Sequence, residues 1–116
     1  MRLTFIHLAV FRNDWKWLKL EDEDLRTLEM LVLEDPLAGR LIPGAGGLRK
    51  IRFSPPHWRR GKSGAIRVCY AYFARHSTVA FLAAYAKNEQ ENIGAKDKTI
   101  YRQLLVAIEG ELSGRG

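Results

Sequence analysis

The chain holds one cysteine, Cys69, among its 116 residues, so no internal disulfide can brace it, and the thiol is expected to be buried and inert. Histidine is nearly as sparse. His7, His57 and His76 are scattered, and with a lone cysteine they offer no zinc-ligand spacing, so neither metal nor cofactor is expected. The longest stretch without Asp, Glu, Lys or Arg is the eleven residues from His76 to Ala86. A bilayer span needs roughly 20 apolar residues, so no membrane segment is expected. The opening MRLTFIHLAVFRND is broken by Arg12 and Asp14 before any secretory cleavage pattern forms, which sets the expectation of a cytoplasmic protein. No repeat of 20 to 50 residues and no linker divides the chain, so residues 1–116 are read as a single domain.

Negative charge is also missing, but only locally. Residues 1–35 carry five Lys/Arg against eight Asp/Glu, and residues 89–116 carry four against five. Residues 36–88 carry ten cations (Arg40, Arg49, Lys50, Arg52, Arg59, Arg60, Lys62, Arg67, Arg75 and Lys87) and no acid. The net charge of +6 is therefore a +10 centre between flanks that sum to −4. Such asymmetry points to a polyanionic partner, with nucleic acid the first candidate.

What is present reads as an α+β unit at 47% hydrophobic and 28% charged residues. Leu3 to Val10 is β-prone, with Thr4, Ile6 and Leu8 on one side, and predicts a first or edge strand. Leu18, Leu25, Leu28 and Val32 fit one helix or two short ones, with the acidic run Glu21–Asp24 at a helix start, where the macrodipole favours it. Pro36 and Gly39 end that stretch, and Pro43 to Gly47 is a turn cluster. Leu48–Phe53 predicts a strand with Lys50 and Arg52 on one face and Arg49, Ile51 and Phe53 on the other. Ile66–Phe73 predicts a second, with Arg67, Cys69, Ala71 and Phe73 opposed to Ile66, Val68, Tyr70 and Tyr72. Val79–Lys87 predicts a third, with strict alternation placing Val79, Phe81, Ala83, Tyr85 and Lys87 together. Short connections favour an antiparallel meander of these three. From Ala95 onward, Ile100, Leu104, Ile108 and Leu112 recur at helical spacing and predict a closing amphipathic helix.

Short motifs mostly dissolve on inspection. Gly61-Lys62-Ser63 resembles the tail of a phosphate-binding loop, yet the glycine that loop needs five positions earlier is Pro56. Gly44-x-Gly46 has Arg49 at the sixth position and precedes a strand, so it is a turn rather than a dinucleotide fingerprint. The three histidines are candidates for acid–base work, though packing suits His7 better and solvation suits His57 and His76. Trp58 sits between Pro55-Pro56 and Arg59-Arg60, where its ring would either stack on a base or pin the loop. Trp15 and Trp17 are assigned to helix packing. One constellation survives: Lys50, Arg52, Lys62, Arg67, Tyr85 and Lys87, drawn from three successive strands and a loop. A solvated cationic face is the plainer account. The absence of any acid across the same residues weighs against it.

Gly44-Ala45-Gly46-Gly47-Leu48-Arg49-Lys50-Ile51-Arg52-Phe53, then Gly61-Lys62-Ser63-Gly64 before Arg67-Val68-Cys69-Tyr70, then Tyr85-Ala86-Lys87-Asn88-Glu89, together resemble the RelE/HigB-type toxins of bacterial toxin–antitoxin systems. The resemblance implies a small twisted antiparallel sheet packed against N-terminal and C-terminal helices. It also implies ribosome-dependent cleavage of messenger RNA, hence inhibition of translation, and neutralisation by a cognate antitoxin, expected to be a helix-turn-helix protein. The family's strand-borne catalytic cations map onto Lys50, Arg52, Arg67 and Lys87, with Tyr85 as a further member. Arg49, Trp58, Arg59, Arg60 and Lys62 are the expected RNA-binding set. Ala65 and Ser63 depart from the glycine and basic residue common in relatives.

RNA is cut without a metal when its 2′-hydroxyl is deprotonated and aligned on the adjacent phosphorus, a task for positioning and charge stabilisation. Crowded positive charge favours neutral Lys and ionised Tyr, so either Lys50 or Tyr85 could act as base. Arg52 and Arg67 would stabilise the phosphorane, and Lys87 or an arginine would assist the departing 5′-oxygen. Two other functions stay open: a ParE-like toxin that poisons DNA gyrase, and a non-catalytic RNA-binding module with salt-dependent affinity.

Overall fold

The computed structural model describes residues 2–56, 65–86 and 95–114. At its centre, strands β4 (Ile66–Phe73) and β5 (Thr78–Ala86) pair antiparallel across a single 3₁₀ turn at Ala74–His76. β3 (Arg49–Phe53) pairs antiparallel with β4, and a two-residue strand, β2 (Arg40–Leu41), pairs antiparallel with β3. β1 (Thr4–His7) lies on the other edge, parallel to β5, giving the order β1-β5-β4-β3-β2. The predicted meander is thus the core of a larger, mixed sheet. The fold is α+β.

Two local predictions need correction. The first strand stops at His7 instead of reaching Val10, because helix α1 (Ala9–Trp17) begins there. Its i, i+4 pair Phe11 and Trp15 turns onto the sheet and is buried. The alternation of Thr4, Ile6 and Leu8 is real, but Leu8 already caps the helix, its N–H donating to the Phe81 carbonyl at 3.2 Å. Strand β2 was not anticipated at all, since two residues carry no periodicity.

Helix α2 (Asp22–Glu34) starts where the acidic run predicts. The Glu21 backbone N–H donates to Asp24 Oδ2 at 2.8 Å, and Asp22, Glu23 and Asp24 stand in the first turn, where carboxylates suit the positive end of the helix dipole. Helix α3 (Ala95–Gly114) closes the chain.

The sheet is covered on both sides. On one face, Ile51, Phe53, Ile66, Val68, Tyr70, Val79 and Phe81 meet Phe11, Trp15, Leu28 and Val32 of α1 and α2. Full burial of each large side chain in this set contributes about 1.5–3 kcal/mol. Phe81 lies at the middle, stacked at ring-centroid distances of 5.7, 5.8 and 5.2 Å on Phe5, His7 and Phe11. At the margin, Tyr70 donates its hydroxyl to the Pro36 carbonyl (2.8 Å) and accepts the Gly39 N–H (2.9 Å). A Cβ at residue 39 would sit 2.7 Å from the Tyr70 ring, so glycine is required for this approach.

On the other face, Ala71, Phe73, Ala80 and Leu82 pack against Leu105, with Leu104, Ile108 and Leu112 of α3 alongside. The turn between β2 and β3 is tied to the same helix: Arg102 Nη1 donates to the Gly44 carbonyl at 2.6 Å. At Gly46, φ is +71°, and a Cβ would meet the Arg102 backbone at 3.2 Å. Among the described residues, no helix is long and apolar enough to cross a membrane.

Candidate functional site

Register decides which cations share a face. Arg52 lies directly opposite Arg67, and Arg67 directly opposite Tyr85, so the three form one row across β3, β4 and β5. Next to it runs a second row, Arg40–Lys50–Cys69–Ala83. Opposed Cβ atoms in antiparallel pairs lie about 5 Å apart, so three side chains of a row span about 10 Å, the scale of a single phosphodiester with its neighbouring sugars.

Tyr85 reaches this row because β5 departs from strict alternation. Tyr70 pairs with Phe81 while Cys69 pairs with Ala83, leaving Leu82 as an extra residue in β5. The β-bulge puts Leu82 and Ala83 on the same face and reverses the phase beyond them. Tyr85 thereby stands with Arg67, whereas unbroken period two would have placed it with Phe81. The bulge is held from α1, whose Asp14 Oδ2 accepts the Ala84 N–H at 3.0 Å beyond the end of β1.

Positive charge gathers along these two rows. Like charges directly opposite in a sheet are destabilising, and Arg52 faces Arg67 in a stretch, residues 36–88, that contains no carboxylate. Arg67 Nη1 and the Tyr85 hydroxyl are buried without a hydrogen-bond partner among the described residues. Buried donors are nearly always satisfied in folded proteins, so these two, at opposed register positions, set Arg67 and Tyr85 apart from the rest of the sheet. Burial pushes the Tyr85 phenol well above its ordinary value, and the neighbouring Cys69 pushes in the same direction, outweighing the Arg67 guanidinium that opposes them. Positive charge was expected to ionise this tyrosine. Burial outweighs that effect here. Cys69 is buried as expected, with its thiol raised from 9.0 to about 11 by burial, which the Lys50 ammonium only partly offsets.

Of the anticipated site residues, Lys50, Arg52, Arg67 and Tyr85 come together on the α3-facing side, and Tyr85 belongs to the buried cluster that α3 covers. Arg49 does not join them. It projects to the opposite face, where its Nη1 donates to the Gly39 carbonyl at 2.7 Å and the Leu37 carbonyl at 3.2 Å. Trp58, Arg59, Arg60, Lys62, Lys87 and His57 lie outside the described residues. His7 stacks on Phe81 and contacts Glu29 Oε2 at 2.6 Å, and His76, in the turn between β4 and β5, contacts Glu109 at 2.9 Å and Ser113 at 3.1 Å. Neither belongs to the cationic rows. Arg40 was not singled out, although the turn cluster at Pro43–Gly47 before a strand signals a hairpin whose first arm must contain it.

Compared with sequence profiles of protein families, the chain matches none. Its structure is similar to three solved structures from E. coli. A double-substituted RelE toxin in the free state superposes with a TM-score of 0.55 at 18% identity, covering 78% of this chain and 90% of that one. The intact RelBE toxin–antitoxin complex gives 0.53 at 20% identity, covering 73% and 96%. The isolated RelE toxin gives 0.54 at 18% identity, covering 92% and 99%. The chain has a RelE-type toxin fold.

Proposed function

We propose that the chain is the toxin of a toxin–antitoxin pair and cuts messenger RNA on the ribosome, using the RNA's own 2′-hydroxyl as nucleophile and no metal. The observation that carries this reading is the Arg52–Arg67–Tyr85 row, in which two buried donors lack partners. A phosphodiester laid on the row would receive N–H donors from both guanidiniums and an O–H donor from Tyr85. Those donors strengthen as charge builds on the phosphorane oxygens, the condition for lowering a barrier rather than merely binding.

We assign the base to Lys50, in the adjacent row. Lys50 takes the 2′-proton, the 2′-oxygen bonds to phosphorus, and the P–O5′ bond breaks to leave a 2′,3′-cyclic phosphate. The departing 5′-oxygen takes a proton from Tyr85 or Lys87. Such a site aligns a phosphate but has no obvious means of folding the RNA into an in-line geometry, and a ribosome supplies that alignment from outside.

An acidic antitoxin segment would neutralise the protein by covering the two rows, and a helix-turn-helix partner encoded beside it fits the resemblance of the sequence to RelE/HigB toxins. The cytoplasm is where ribosome, transcript and antitoxin meet. Primer extension on transcripts from cells expressing the chain without its partner tests the reading. Discrete new 5′ ends confined to translated regions are expected. Intact transcripts would overturn it, and intact transcripts with arrested replication would move the fold to a gyrase-directed use.

A further inference from the structure

Trp17 was expected to pack within its helix, but its indole is 70% exposed while its neighbour on the helix, Trp15, is buried. Exposing so large an apolar ring gains nothing for folding. The ring lines a groove of about 370 Å³ whose floor is Ala83 and Ala84 and whose other walls are Val10, Asp14, Tyr85 and Tyr101. Tyr85 is shared. The groove therefore begins where the Arg52–Arg67–Tyr85 row ends.

Taking the cationic row as the phosphate site, as the proposed function does, we infer that this groove seats one nucleobase next to the scissile phosphate, stacked on Trp17. The volume is ample for a planar heterocycle, and two observations select a base over other occupants. The wall carries the Asp14 carboxylate, held in place by its bond to the Ala84 N–H, and a carboxylate is an acceptor that suits the amino group of a base edge better than a phosphate. Tyr101 is half-buried at the same wall and adds a phenol, whose hydroxyl is a hydrogen-bond donor. Aromatic stacking supplies affinity, and the Asp14 and Tyr101 groups supply preference among bases.

Ribosomes programmed with messenger RNAs that differ by one base at each position around the cut provide the test. Trp17→Ala should cut the preferred sequence about 10- to 100-fold more slowly, the range for losing one stacked base, and should flatten base preference at one position only. Trp17→Phe should retain most of both. The thermal midpoint of Trp17→Ala should match wild type, since the ring is not part of the core. An unchanged preference profile in Trp17→Ala, with or without weaker binding to a partner protein, overturns the base seat and leaves the phosphate site standing. Wild-type protein that cuts none of these messages overturns both.

Discussion

The α3-facing side of the sheet is two surfaces built on the same strands. Toward one end, Ala71, Phe73, Ala80 and Leu82 lie under Leu105 and its helical neighbours, every side chain apolar and closely covered. Toward the other, Lys50, Arg52 and Arg67 stand with Tyr85, and two donors are buried without partners among the described residues. β4 carries both kinds, Phe73 and Ala71 in one and Arg67 in the other, with Cys69 at the seam. Strand propensity and period serve both ends equally. What separates them is whether each group's bonding is completed inside the molecule. The covered end is finished on folding, and the cationic end keeps like charges, Arg52 and Arg67, opposed on neighbouring strands.

The largest expected effect breaks the covered end. Leu105 is 4% exposed and central to the α3 contact, so Leu105→Ala should cost about 2–5 kcal/mol of stability, measured by urea unfolding. RNA cleavage per folded molecule should stay near wild type at low temperature. A loss of cleavage larger than the loss of folded protein would mean that the two ends are not separable.

Arg67→Ala attacks the other end and should do the opposite. Cleavage should fall about 100-fold or more, equivalent to about 2.7 kcal/mol, the scale for removing one oriented donor. Stability should hold or rise slightly, because the change deletes an unpartnered buried nitrogen and relieves the opposition with Arg52. A folded Arg67→Ala protein that cuts normally removes this residue from the site, and one that unfolds makes it structural.

Much of this contrast was legible in the amino-acid sequence. Period two in Arg49–Phe53 and Ile66–Phe73 correctly put Lys50, Arg52 and Arg67 on one face, because the pairing of those two strands is unbroken. The same rule misassigned the outer half of β5. A bulge at Leu82 leaves no local signature in a run of Val, Ala, Phe and Leu, since it depends on the partner strand and on Asp14 some 70 residues away. Arg49 was grouped with the RNA-binding cations because charge alone does not show that carbonyls at Leu37 and Gly39 await it. Trp17 was assigned to packing by its neighbour Trp15, yet two residues along a helix turn the ring about 200° away, so the two could not both face the sheet.

The smallest effect sharpens the boundary itself. Cys69 sits opposite Lys50, at the seam, and burial holds its thiol at about 11 in place of 9.0. The folded state therefore keeps a proton that the unfolded chain gives up above pH 9. Stability is fully present below pH 9 and declines as pH rises toward 11. At pH 10 the loss is on the order of 1 kcal/mol, about one pH unit of differential proton binding. Tyr85 and Tyr101 are raised in the same direction and add to the slope above pH 10. Cys69→Ala has no thiol to titrate, so its unfolding free energy should fall less steeply between pH 8 and pH 10 than that of wild type, whatever its stability at pH 7. Equal slopes in the two proteins would mean that water reaches the thiol, and the low-dielectric core would then end one row short of Cys69 instead of running up to the edge of the cationic face.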